Sequence, residues 1–203
     1  TDLTRQGRVE GLTLYIDSPL AAQATQITLR HPECFDEEAR RVLAWRESHP
    51  DALRVVVTAS TEESMALNSL RSGAIILAGS GMCEAGRIKH HLKHNLWRKE
   101  CSLIIVGFQA EGTLGRRIVD GAKWVRVLGE DIAVGADVYT IGGLSAHADR
   151  ADLLSWAGKI RTPPSRVFVA HGEESVSMGF AQELRDRFGW SALVPDPGQP
   201  MEL

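Results

Sequence analysis

Cysteine is scarce. Cys34, Cys83 and Cys101 are odd in number and widely spaced in a chain of 203 residues, which excludes a disulfide framework and a Cys-rich zinc knuckle and fits a reducing, cytoplasmic setting. No apolar run approaches the ~18 residues a membrane span requires, so no membrane partner is expected. No basic, apolar, small-residue leader opens the chain, so no secretory signal is expected. Nor is there an initiator methionine: the first residue is Thr1, which leads to the expectation of a processed product or an excised portion of something longer. What is present is ordinary globular composition, 43% hydrophobic and 24% charged. The length suits one large domain or two small ones at ~100–200 residues each. That is enough chain to bury a core without disulfides or metals holding it together.

The net charge of −3 hides an asymmetry. Between Glu84 and Arg126 lie nine basic residues: Arg87, Lys89, Lys93, Arg98, Lys99, Arg116, Arg117, Lys123 and Arg126. Only Glu84, Glu100, Glu111 and Asp120 oppose them. The stretch is +5 and the remainder −8. His90, His91 and His94 fall in the same stretch. Such a tract is either a footprint for a phosphate-rich partner or a solvated face with scattered charges.

Strand-like and helix-like segments alternate. Residues 12–16 read as a strand running into Asp17-Ser18-Pro19, with helical composition over 20–29. Asp36, followed by Glu37 and Glu38, predicts a helix N-terminus that runs to about Ser48. Residues 53–57 and 74–78 read as buried strands, with a helix capped by Thr61 between them and a stop at Ser72-Gly73. A helix over 84–96, a strand over 103–106 and a helix opening near Gly112-Thr113 follow. After Ala122 come short β segments (124–128, 132–134, 138–141), a helix over 149–160, a strand over 166–170 and a helix over 175–188. This order predicts an α/β fold with mostly parallel pairing.

Two connections have the form strand, glycine-rich loop, helix: Ala78-Gly79-Ser80-Gly81-Met82 leading to Gly86-Arg87, and residues 107–113 leading to Arg116-Arg117. Glycine lets backbone amides approach an anion, and a helix N-terminus favours negative charge. Neither loop is a nucleotide motif: the first lacks the third glycine of a dinucleotide fingerprint, and Thr113 stands where a P-loop needs lysine. Phosphate contact and a plain strand–helix connection both remain open. His90 and His94 share a helical face, but Lys89 and Lys93 would repel a cation, so these histidines and His91 are expected at the surface or facing RNA. His147, in Ser145-Ala146-His147-Ala148-Asp149, and His171, in His171-Gly172-Glu173, each follow a β segment, where α/β folds place active sites. Imidazole there serves as a zinc ligand or a proton donor. Two histidines fall short of the three protein ligands a catalytic zinc takes.

Six motifs in order, Asp17-Ser18-Pro19-Leu20-Ala21, Gly79-Ser80-Gly81-Met82-Cys83, Gly86-Arg87 with His90-His91-Leu92-Lys93, the 107–115 loop, Ser145-Ala146-His147-Ala148-Asp149 and Val169-Ala170-His171-Gly172-Glu173, closely resemble the β-CASP branch of the metallo-β-lactamase superfamily, RNA-processing zinc nucleases related to the pre-mRNA 3′-end cleavage endonuclease. The resemblance implies an end of an upstream segment over 1–11, a β-CASP domain over 12–139, and the C-terminal part of a lactamase αββα fold over 140–203. It implies that His147 lies beside the scissile phosphate as proton donor or phosphate-orienting group. It makes His171 a ligand of one of two zinc ions and Ser145 a phosphate contact. Ser80, Gly81, Arg87, Gly112, Thr113 and Arg116 become parts of an RNA cleft. The family's His-x-His-x-Asp-His metal motif does not occur here. The expectation is therefore a portion of a two-metal ribonuclease whose N-terminal lactamase half lies upstream, with the isolated chain inactive and its zinc site incomplete. The competing reading is a catalytically empty RNA-binding or scaffold module of the same family; a nucleotide-binding α/β protein fits less well. The surface left by the missing half makes a homodimer a further expectation.

Overall fold

A computed structural model describes residues 2–144, 147–196, 198, 200 and 201. The chain divides into two compact units, 1–142 and 143–203.

In the first unit, β1 (Thr13–Ile16) sits between β2 (Arg54–Val57) and β3 (Ala74–Leu77), parallel to both. From β1 the chain leaves through α2 (Pro19–Leu29) and α3 (Glu37–Ser48) to β2 on one side. It then returns through α4 (Thr61–Ala66) to β3 on the other; a four-residue α1 (Asp2–Arg5) precedes all of these. Connections that leave in opposite directions open a crevice at the carboxyl ends of β1 and β3, the topological switch point of an open α/β sheet. Local chemistry sets the helix starts. Ser18 caps α2 with Pro19 at its first position, and Asp36 caps α3 by accepting from the Ala39 N–H at 2.8 Å. For α4 the cap is Ser60 rather than the expected Thr61, because Ser60 forms a reciprocal capping box with Glu63.

Beyond β3, α5 (Ile88–Asn95), β4 (Ser102–Ile105), α6 (Leu114–Val119) and the antiparallel hairpin of β5 (Trp124–Val127) and β6 (Glu130–Ala133) enclose the larger core. Leu92, Leu96, Ile105, Leu114, Ile118, Val125 and Val127 meet there, Val127 fully shielded; side chains of this size gain ~1.5–3 kcal/mol each on full burial. β7 (Asp137–Thr140) leaves the hairpin to pair parallel with β4. The chain can pass the end of α5 only because residue 135 is glycine, since a Cβ there would lie 2.4 Å from the Trp97 carbonyl oxygen. Helix α5 starts at Ile88, later than expected, because residues 80–87 fold into a tight loop of their own.

The second unit holds α7 (Arg150–Ala157), β8 (Val167–Phe168), α8 (Glu174–Phe188) and β9 (Ala192–Leu193). The last is parallel to β8 across the α8 crossover. Leu154, Ala157, Ala181, Leu184, Trp190 and Ala192 form its core. Gly189, at φ +68°, ends α8 in the left-handed conformation that suits glycine. The α/β class with parallel pairing agrees with the sequence expectation. Among the described residues no helix is long and apolar enough to cross a membrane.

Candidate functional site

The strand-end crevice has a charged floor. Asp17, the first residue after β1, is completely buried. One carboxylate oxygen accepts from the Thr58 hydroxyl and from Arg87 Nη1, the latter at 2.7 Å. The other accepts from the Ser64 hydroxyl at 2.7 Å and from His91 Nε2 at 2.6 Å. An ionised carboxylate only accepts, so His91 Nε2 carries a proton; its Nδ1 lies 3.0 Å from Asn68 Oδ1. Burial alone would raise the Asp17 carboxyl, but hydrogen bonds from Ser64, Thr58, His91 and Arg87 outweigh it and bring the pKa down from 3.8 to about 2.

This hub corrects one expectation. His91 does not face solvent or RNA; it is 6% exposed and held by Asp17 and Asn68. Its neighbours His90 and His94, four apart on one side of α5, are exposed. Arg87, assigned to phosphate from the sequence, spends Nη1 on Asp17 and Thr58 and points Nη2 at the Ala59 carbonyl, 3.4 Å away. A signal for the hub was present: Arg87 and His91 are one helical turn apart, and Asp17 is an acid at the end of an apolar strand.

The two glycine-rich loops sit beside this floor and are tied to each other. In the first, Gly86 has φ +75°, and a Cβ there would come within 2.7 Å of the Gly79 carbonyl oxygen. The Ser80 hydroxyl accepts from the Ala85 N–H at 3.3 Å, while Gly81 stays exposed. In the second, the Thr113 hydroxyl caps α6 and donates to the Ala110 carbonyl at 2.7 Å, and the Leu114 N–H donates to the Glu84 carboxylate. Gly112 is exposed, and Arg116 pairs with Asp120 at 2.9 Å. Gln109 is the bridge. It is 6% exposed, and its Nε2 donates to the carbonyls of Gly81 (2.8 Å), Phe108 (3.0 Å) and Gly107 (3.2 Å). In the sequence it stands only as one residue of the 107–113 loop. Burial, then the Glu84 charge, push the Cys83 thiol up, which makes it a poor nucleophile.

In the second unit, His147 is exposed two residues ahead of Asp149, the N-cap of α7. His171 is exposed in the turn from β8 to α8, at φ +66°. Beside it Gly172 leaves no room for a Cβ, which would meet Ser177 Oγ at 2.6 Å. Ser145 lies outside the described residues. Among the described residues no group of three or more His, Cys, Asp or Glu side chains gathers to hold a metal ion. A zinc site takes at least three protein donors, so these side chains do not by themselves fit zinc.

A parallel sheet whose strand ends carry a buried acid hub and two coupled loops defines an open α/β architecture. Comparison with known proteins narrows it. The Beta-Casp domain matches residues 1–118, and the Zn-dependent metallo-hydrolase RNA specificity domain matches residues 131–195. The chain belongs to the β-CASP family of metallo-β-lactamase-type proteins. It is 39% identical over 183 residues to ribonuclease TTHA0252 of Thermus thermophilus, covering 89% of this chain and 41% of that protein. It is 31% identical over 202 residues to transcription termination factor FttA of Pyrococcus abyssi, covering 96% and 31%. To FttA of Methanocaldococcus jannaschii it is 32% identical over 188 residues, covering 90% and 30%. The chain thus spans well under half the length of these relatives.

Proposed function

We propose that this chain is the RNA-engaging portion of a zinc-dependent ribonuclease that hydrolyses phosphodiester bonds by a two-metal route. The observation that carries the reading is the pair of family matches, Beta-Casp over residues 1–118, which include the strand-end crevice, and an RNA specificity domain over residues 131–195. A relative named ribonuclease supports the activity. In this reading the chain divides near residue 139, and an upstream lactamase half supplies the metal donors that this chain lacks, leaving His171 as one ligand. His147 gives a proton to the departing sugar oxygen or orients the phosphate, and Ser145 contacts a phosphate oxygen. The exposed backbone at Gly81 and Gly112, with Ser80, Thr113 and Arg116 around it, lines the RNA path. Arg87 acts from beneath, as the fixed counter-charge of Asp17. The whole protein works in the cytoplasm.

The test is RNA cleavage by a polypeptide extended upstream to include the lactamase half, beside the 203-residue chain. Chelator-sensitive cleavage by the long form and none by the short form is expected. Robust chelator-sensitive cleavage by the short form would overturn the division of labour. A long form that binds RNA without cutting it would establish the scaffold reading instead.

A further inference from the structure

The basic tract changes meaning once its members are sorted by partner. Arg87 and Arg98 are inward groups, held by Asp17 and by main-chain carbonyls. Lys93 pairs with Glu130 at 2.6 Å and Arg116 with Asp120, while Lys89 is half-buried in the first turn of α5. Lys99, Arg117, Lys123 and Arg126 are exposed, and none makes an ion pair within 4.0 Å among the described residues. These four surround the hairpin rather than the strand-end crevice. The Arg117 carbonyl accepts from the Ala122 N–H at 3.1 Å, which ties the end of α6 to the start of β5. The Leu96 carbonyl accepts from the Gly135 and Ala136 N–H groups, each at 2.9 Å, which ties the end of α5 to the exit of β6.

Two tryptophans stand at the same junctions. Trp97 is 54% exposed and Trp124 66% exposed. Trp124 and Arg126 occupy the outward positions of β5, while Val125 and Val127 fill the core. Each indole leaves more than half of its surface unused by the fold, and two such rings in one region mark an interaction surface. Charge selects the partner. Glu100, Asp120 and Glu130 are engaged by Arg98, Arg116 and Lys93. Glu84 accepts from the Leu114 N–H, and Asp131, opposite Arg126 in the hairpin, and Asp137 are acids on the adjoining strands.

We propose that this face, built on Trp97 and Trp124 with Lys99, Arg117, Lys123 and Arg126, is a second RNA-binding surface that takes a single strand, bases stacking on the indoles and phosphates meeting the cations. Stacking on flat rings with flanking cations is sequence-tolerant, so the surface holds a strand in place rather than choosing where it is cut. The inference rests on the reading that the protein acts on RNA, and it adds a site away from the crevice.

The experiment measures binding of a fluorescein-labelled oligouridylate of about 12 nucleotides, within the usual single-strand footprint, to the 203-residue chain across a salt series. The variants are Trp124→Ala with Arg126→Ala, and Trp124→Phe alone. All these side chains are exposed, so thermal unfolding should be unchanged. The double variant should weaken binding roughly ten-fold and lower the salt slope by ~0.7 for the lost cation, while Trp124→Phe keeps most of the affinity because a ring remains. If the unaltered chain binds and the double variant binds equally with the same slope, the surface proposal falls and the RNA reading stands. If the unaltered chain does not bind RNA at all, the RNA reading falls with it. Loss of self-association in the double variant, with RNA binding intact, would reassign the face to a contact between copies.

Discussion

Replacing Asp17 by asparagine tests the buried hub most directly. The substitution preserves shape but removes the charge that four donors address. Asn Oδ1 can still accept from one side, while its amide must face donors on the other. Breaking a buried charged pair by removing one partner costs ~3–5 kcal/mol. Arg87, 22% exposed, keeps partial access to water, so the lower end of that range is expected. Domains of this kind are stable by ~5–15 kcal/mol, so the loss should be plain in a urea titration followed by tryptophan fluorescence. The pH dependence gives an independent reading. The folded pKa of about 2 lies below the ordinary 3.8, so the unfolded chain takes up the proton first as pH falls. The stabilisation is therefore complete above about pH 4–5 and lost as the pH drops through about 2. A shift of this size corresponds to about 2 kcal/mol. Asp17→Asn should lose that part of the acid sensitivity and no other. A variant less than about 1 kcal/mol weaker than the parent, or one with an unchanged acid profile, would refute the account of the hub.

Other substitutions probe the remaining links. Gln109→Ala strips three carbonyls of their donor and should destabilise the first unit by ~2–4 kcal/mol. Gly115→Ala should do comparable damage, because its Cβ would fall 1.7 Å from Gln109 Oε1; the double variant should cost less than the sum of the two, and strict additivity in chemical denaturation would disprove the contact. Ser60→Ala removes the capping box of α4 and should cost ~1 kcal/mol in the same titration, whereas Thr61→Ala should be nearly silent. In the upstream-extended polypeptide, His147→Ala should lower the cleavage rate ~10²–10⁴-fold if it is the proton donor, with RNA affinity little altered; a loss of affinity without loss of rate would make it a binding group instead.

How far the sequence revealed these features depended on whether the cause was local. Asp36 was legible as a cap because a cap acts within four residues; near Thr113 and Asp149 the sequence indicated only helix starts, and the structure shows both to be caps. The alternation of strands and helices was legible from apolar periodicity. The hub was legible only as the Arg87–His91 spacing and the acid at a strand end; their meeting was not, because the donors lie 41 to 74 positions from Asp17. The histidine trio illustrates the point: one ring is buried and two are exposed, and only the packing of α5 over residues 17, 64 and 68 decides which. Gln109 escaped for a different reason. Its role is fixed by the absence of a side chain at Gly115 and by carbonyls, neither of which has a sequence signature. The basic tract was visible as a count, but the pairing that sorts inward from outward cations belongs to the tertiary structure.

Because Asp17 finds Thr58, Ser64, Arg87 and His91 only across long stretches of chain, its carboxylate gains its two hydroxyl donors during synthesis before the Arg87 charge and the His91 donor. In a nascent chain that stops short of α5, closing the three-stranded sheet over Asp17 would carry the cost of a buried ion without its counter-charge. Synthesis that pauses before that point would present the apolar strands to chaperones rather than to one another.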